Sequence, residues 1–250
     1  MTSSTVMWFL KWWATSYLYI DSSLYRPTSA IYEQVLGVEK EGSKWALNYM
    51  LGKICFNIHN YFNEIDVLED SLDLFLDVVN PKNQKLQYIV NMQNFQTLIL
   101  IKDVELDSKI KRTVYKGLVM ASNVFKDQSE RNNCLDHIME TILSKFEAIS
   151  NELTENGENY QNTELRMRIV AFMEELSGIV EGANSKTYFY IYSTLNRVYV
   201  MLPDLMKLYH NYFEIVVGIL RLLVETASVT LMTSDDNKDI LQNFHDNTLR

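Results

Sequence analysis

Four groups of residues in this 250-residue chain have types and spacings that chemistry uses. DDNKD, Asp235 to Asp239, fits the DDxxD pattern with which some helical enzymes hold magnesium and a diphosphate. Clustered carboxylates suit a hard divalent cation. Such enzymes also use a second acidic motif on a facing helix, whereas this one lies beside an expected helix start, where the helix dipole favours acidic residues anyway. The helix cap is therefore the preferred reading, and a Mg-dependent diphosphate enzyme stays as the remote alternative. Cys134, His137 and Glu140, at i, i+3 and i+6, resemble part of a metal site. Zinc takes four ligands, or three and a water, and no second Cys/His cluster completes the set.

The third group is Asp66, Asp70, Asp73 and Asp77, spaced to share one helical face, with Glu69 beside them. These five residues are the candidate partner-binding residues: an acidic wall would attract and help select a basic protein. A solvated outer face accounts for them equally well. The fourth is Tyr188, Tyr190, Tyr192 and Tyr199. Residues 188, 192 and 199 share a face and suit either an aromatic patch for a partner or a helix–helix seam whose hydroxyls reach water. The seam is preferred. No HExxH, GxSxG, P-loop or GxGxxG occurs, and His59, His137, His210 and His245 are scattered. No catalytic residue, metal site or cofactor is expected, and the chain reads as a non-enzyme.

The totals narrow the class. A hydrophobic fraction of 47%, with 12% aromatic, supplies a substantial core, while 8 glycines and 3 prolines are too few for a fold rich in tight turns. A formal net charge of -9 disfavours general nucleic-acid binding and suits a basic protein partner. Cys55 and Cys134 are the only cysteines, and no Asn-x-Ser/Thr sequon occurs; both facts suit a reducing compartment. The apolar run from Val6 to Ile20 contains Lys11, Thr15 and Ser16 and falls short of the roughly 20 residues that span a bilayer. Neither a membrane span nor a targeting signal is expected of it.

Apolar residues recur at helical spacing along nearly the whole sequence, which predicts an all-α fold. Leu47, Met50, Leu51, Ile54, Cys55, Ile58 and Phe62 trace one face of a helix capped by Ser43. Ile65, Leu68, Leu72, Phe75, Leu76 and Val79 trace the next, ended by Asn80-Pro81. Ile110, Val114, Leu118, Ala121 and Phe125 form a third stripe; after a polar break, KDQSERNN, a fourth runs from Leu135 to Ile149. Ser150 to Glu164 reads as a long exposed loop. Further helices are expected from Leu165 to about Gly182, from Lys186 with a kink or end at Pro203, from Tyr212 to Leu231, and from Asp236 to Thr248. The pattern is one segment, 1–250, with a helix at about 5–20 and helical pairs at about 43–80, 108–149, 163–209 and 211–249. Stacked antiparallel hairpins, a HEAT/armadillo-like α-α superhelix, are the expected architecture; the pair starts lie roughly 65, 55 and 48 residues apart, longer and less regular than usual units. A compact bundle competes with it.

VMWFLKWWATSYLYIDSSLY, EGSKWALNYMLGKICFNI, KRTVYKGLVMASNVF and EELSGIVEGA resemble, in the same order, the central part of nuclear export receptors of the importin-β (karyopherin) family. The similarity extends over most of residues 6 to 231 but is strong only in those islands. The resemblance implies HEAT repeats that wrap protein cargo together with Ran-GTP, shuttle between nucleus and cytoplasm, and release cargo after GTP hydrolysis. The cargo it implies is hypusine-modified translation factor 5A and similar proteins. It also implies a segment of a longer receptor. On that reading the tryptophans of MWFLKWW, Met7 to Trp13, are core residues normally sandwiched between neighbouring repeats. The isolated chain is accordingly expected to self-associate through this helix. Size-exclusion chromatography with apolar-dye binding checks this, and a monodisperse, dye-silent monomer contradicts it.

Overall fold

Helices account for nearly all of the described secondary structure, and among the described residues there is no strand. The computed structural model describes residues 51–61, 63–80, 99, 102, 106–123, 125–155 and 159–233. The N-terminal helix at 5–20, the Ser43 cap, DDNKD and the helix at 236–248 lie outside the described residues. The chain divides into two compact units, Met1–Val104 and Glu105–Arg250.

In the first unit, α1 (residues 51–60) and α2 (Ile65–Val79) form the described core. Leu51, Ile54, Cys55 and Ile58 are buried, as are Val67, Leu68, Leu72, Leu74, Phe75, Val78 and Val79. Ile65 instead is 66% exposed, because it opens α2 ahead of the packed turns. The helix ends at Val79, and Asn80 turns to ψ 126°, as a residue before proline should. Between the two helices sits one polar contact: the Asn57 amide donates to Ser71 Oγ at 2.9 Å, and Ser71 donates to the Val67 carbonyl at 2.6 Å. Both residues are fully buried. A buried amide is costly unless bonded, so this pair fixes how α1 and α2 meet.

The second unit contains α3 (Ser108–Ser122), α4 (Gln128–Glu155), a single 3₁₀ turn (Asn159–Gln161), α5 (Thr163–Gly182), α6 (Tyr188–Thr194), α7 (Asn196–Leu208) and α8 (Phe213–Thr233). Two starts have clear causes. Asp107 accepts from the Lys109 amide at 2.9 Å and Asn162 from the Glu164 amide at 2.9 Å, each satisfying an amide that the first helical turn leaves unpaired.

Three sequence expectations are corrected here. The polar break KDQSERNN is mostly helix: Asp127 caps α4 by accepting from the Ser129 and Glu130 amides, at 2.8 and 3.0 Å, and Gln128 to Asn133 form its first turns. Nor is Arg131 an exposed loop residue, since it is buried and donates to the Phe125 carbonyl. The long loop at Ser150 to Glu164 is also largely absent, because α4 continues to Glu155 as a 28-residue helix. Its polar composition reflects the outer face of a helix end, where Arg168 of α5 meets Glu152 at 2.8 Å. Finally, α7 runs through Pro203; the interruption falls at Leu195, whose ψ of 2° separates α6 from α7.

The residue contacts fix the direction of each helix. Arg112 lies at Gly178 and Lys116 at Gly182, so α3 and α5 run parallel. Met173 meets Gly218 and Glu174 meets Arg221, so α5 and α8 also run parallel. The returns are antiparallel: Lys145 of α4 pairs with Glu175 of α5, and Glu152 with Arg168. Tyr188 meets Thr230, and Tyr199 meets Thr226, which sets α6 and α7 antiparallel to α8. Hence α3, α5 and α8 form a parallel row with α5 in the middle, and α4 and then α6–α7 carry the chain back between them. Tyr190 of α6 donates to Asp136 of α4 at 2.6 Å, joining the two returns.

The α3–α5 seam is unusually close. A Cβ on Gly178 would lie 2.2 Å from the Arg112 carbonyl oxygen, and one on Gly182 would lie 2.5 Å from that of Lys116. One turn apart, these glycines present a smooth strip against which the α3 backbone rests. Gly178→Ala should therefore push backbone against backbone and cost about 3 kcal/mol. Gly218→Ala, whose Cβ would be 3.1 Å from the Met173 side chain, should cost less than about 1 kcal/mol. Urea unfolding of both variants checks the contrast; equal losses would contradict it.

Candidate functional site

The five acidic residues fall on the side of α2 away from its core. Asp66, Glu69, Asp73 and Asp77 are exposed and Asp70 is half-buried. Opposite them, Leu68, Leu72, Phe75 and Val79 are buried, so one helix separates an apolar face from an acidic one. Asp66 to Asp77 covers about 17 Å of helix at 1.5 Å per residue. Asp66 sits in the first turn, where the positive end of the helix favours it. The remaining carboxylates gain nothing from that end and repel one another at steps of three and four. Such a strip lowers the free energy of a nearby cation and is screened by salt.

The other groups resolve differently. On α4, Cys134 is buried whereas His137 and Glu140 are exposed, so the three do not converge. Burial pushes the Cys134 thiol up to about 11 and that of Cys55 up to about 12. Both are protonated near neutrality and poor as nucleophiles or ligands. Among the described residues no group of three or more His, Cys, Asp or Glu side chains is arranged to hold a metal ion. Among them, too, no helix is long and apolar enough to cross a membrane.

Tyr188, Tyr192 and Tyr199 do share a buried face, and their rings stack in sequence: 6.0 Å between the first two centroids and 5.1 Å between the second two. This is the seam rather than the patch, with one correction. The Tyr188 hydroxyl shares a hydrogen bond with Thr230 Oγ1, and that of Tyr199 with Thr226 Oγ1 at 2.9 Å, so neither relies on water. Thr226 and Thr230 lie one turn apart on α8 and are fully buried. Burial raises both phenols above their ordinary range. Tyr190 is separate: its bond to Asp136 holds the phenol proton and pushes it up to about 12.

The densest charge cluster among the described residues has no complete signature in any one helix's sequence. Arg112 projects from α3 to three carboxylates on two helices. Its Nη1 donates to Glu174 Oε2 at 2.9 Å; its Nη2 donates to Glu181 and, at 2.5 Å, to Glu225 Oε1. Lys116 adds a 3.3 Å contact to Glu181, and Arg221 donates to the second oxygen of Glu174. The carboxylates are only 14–23% exposed, so their attraction to Arg112 is weakly screened. Burial by itself would lower Arg112, but its hydrogen bonds to Glu181 and Glu174 raise it above its ordinary value. Burial likewise opposes ionisation of Glu181, yet the bonds from Arg112 and Glu225 win and hold it low. Glu225 goes the other way: burial and its neighbour Glu181 push it up to about 7, against the pull of Ser177 and Arg112.

A simpler pair joins α4 to α5. Lys145 Nζ donates to both oxygens of Glu175 at 2.7 Å, and Glu175 is 2% exposed. A sequence signal for the Arg112 cluster lies in GIVEG, Gly178 to Gly182, whose four-residue glycine spacing marks a close helix approach and whose glutamate is Glu181.

No protein-family model matches the chain, and no solved structure matches it.

Removing Arg112 leaves three poorly solvated carboxylates facing one another. Arg112→Ala should therefore lower the unfolding free energy by about 3 kcal/mol, and Arg112→Lys, which keeps the charge but not the fork, by roughly half that. Chemical denaturation at neutral pH measures both; a loss below about 0.5 kcal/mol for Arg112→Ala would make the cluster energetically idle.

Proposed function

We propose that this chain is a segment of a helical-repeat nuclear transport receptor, similar to exportin-4 of the importin-β family, which binds protein cargo together with Ran-GTP and has no catalytic role. The observation that carries the reading is the parallel row α3, α5 and α8 with antiparallel returns between them. Successive hairpins laid side by side produce this alternation, and stacking them is how HEAT repeats extend into a superhelix. The residues that line up the row also fall within sequence islands that resemble the family: KRTVYKGLVMASNVF holds Arg112 and Lys116, and EELSGIVEGA holds Glu174, Glu181, Gly178 and Gly182. Shuttling between nucleus and cytoplasm follows from that resemblance.

In this reading α2 offers Asp66, Glu69, Asp70, Asp73 and Asp77 to a basic cargo such as a translation factor 5A-like protein. Long-range attraction speeds encounter, and the spacing of the charges favours a partner with basic residues along one edge. An α-helical scaffold that captures partners independently of Ran shares the same hairpin row, and the state of the nucleotide separates the two.

The test is a pull-down with the full-length product against Ran locked in the GTP form and Ran in the GDP form. Preferential capture of the GTP form is expected, whereas equal capture of both rejects the export-receptor reading in favour of the scaffold. Reversing Asp70 and Asp73 to lysine should weaken binding of the basic cargo at low salt by roughly tenfold, with little effect in high salt. Unchanged low-salt affinity would remove α2 from the cargo surface.

A further inference from the structure

The Arg112 cluster gathers three carboxylates around one central guanidinium, and it sits where α8 meets the rest of the row. We propose that the α5–α8 seam is a proton-operated joint: it is closed while Glu181 and Glu225 share one proton beneath Arg112, and it loosens when both carboxylates are charged. This inference does not depend on the transport reading.

The geometry sets up the competition. Glu181 and Glu225 both accept from the same nitrogen, Nη2 of Arg112. Two oxygens on one donor lie within about 5 Å of each other. Two like charges at that separation, in a partly desolvated site, repel strongly unless a proton lies between them. The two oxygens of Glu225 are unequally served: Oε1 takes the Arg112 bond, while Oε2 is buried without a hydrogen-bond partner of ordinary geometry. An ionised carboxylate is poorly served there, so protonation of Glu225 lowers the cost of burying it.

Among the described residues, four helices bring charged or titratable groups to Glu225. From α3 come Arg112 and Lys116, the latter engaged with Glu181. From α5 come Glu174, Ser177 and Glu181. Tyr199 of α7 faces it, with Tyr188 of α6 beyond; both phenols stay neutral. On α8 itself, Arg221 is taken up by Glu174. Among the described residues Arg112 is thus the one cation that contacts Glu225, and it is shared with Glu174 and Glu181; the raised value of about 7 for Glu225 agrees with that sharing.

An opened Glu225 regains its ordinary value near 4.5, whereas in the closed seam it keeps its proton up to about 7. Between those values the closed seam binds one proton more than the open one, so closure is favoured at low pH and lost as pH rises through 7. Glu181 has its lowered value on the acid side, so its contribution fades only below about pH 4.5 and leaves this window untouched. Opening should be local. The Tyr188–Thr230 and Tyr199–Thr226 bonds hold α8 to α6–α7, so those helices move with α8 away from α5. The change is in the angle between one hairpin and the next.

Hydrogen exchange of the full chain, followed by mass spectrometry from pH 5.5 to 8.5 and corrected for intrinsic rates, reads the joint. The opening constant of α8 peptides should rise up to tenfold per pH unit below 7 and level off by about 8.5, while α4 peptides stay flat. Glu225→Gln, which keeps the shape and removes the charge, should abolish the slope, and so should Glu181→Gln. A flat wild-type profile, or a slope that survives Glu225→Gln, overturns the proposal. Should a variant not fold, the wild type decides alone: the Glu225 side-chain carboxyl is expected to titrate by ¹³C NMR at about 7, and a midpoint below 5 overturns it.

Discussion

Backbone contact between α3 and α5 is the constraint on which the second unit depends. Helices with ordinary side chains between them sit about 8–10 Å apart. Gly178 and Gly182 remove the side chains on one side of the seam, and the Arg112 and Lys116 carbonyls fill the space. Arg112 is thereby placed near enough to reach beyond its own neighbour to Glu225 on α8. One smooth strip on α5 thus ties three successive parallel helices to a single guanidinium. A bulkier residue at either glycine would separate the row and strand the carboxylates that the guanidinium now serves.

Polar pairs mark several of the helix crossings around that seam and elsewhere. Lys145 reaches buried Glu175; Thr226 and Thr230 take the hydroxyls of Tyr199 and Tyr188; in the first unit Asn57 takes Ser71. Contacts of this kind add little net stability over apolar packing, because desolvation offsets much of their attraction. Their effect is on register. A slide of one residue of α8 against α6 and α7 would bury two hydroxyls without partners, whereas leucines in the same places would tolerate it. A row of similar hairpins, each able to pack on several others, needs such markers to fix one arrangement.

Much of this fold is legible one helix at a time. The 3.6-residue rhythm puts α2, α3, α5 and α8 close to where they lie, and Asn80-Pro81 and Gly182 mark two of their ends, because helix bonds and apolar faces are written within a few residues. The errors are local too. Asp127 and Asn162 act as caps, yet the polar residues around them read as loop, since the same side chains serve both. Pro203 reads as a kink or an end, but α7 does not end there, and the break between helices lies eight residues earlier at Leu195. The acidic strip on α2 was visible because its residues share a helix; the arginine cluster was not, because its members do not.

The sequence alone determined that this is an all-helical chain, which residues face its cores, and that Asp66 to Asp77 share one exposed side. Those properties rest on contacts three or four residues apart. Tertiary structure decided which charges meet: Arg112 finds Glu174, Glu181 and Glu225 at separations of 62, 69 and 113 residues, and no periodicity runs that far. It also decided that Glu225, an ordinary glutamate on an apolar helix, loses its water and gains a carboxylate neighbour. Solvation and proximity are properties of the packed molecule, and they are what give that side chain a proton near neutral pH.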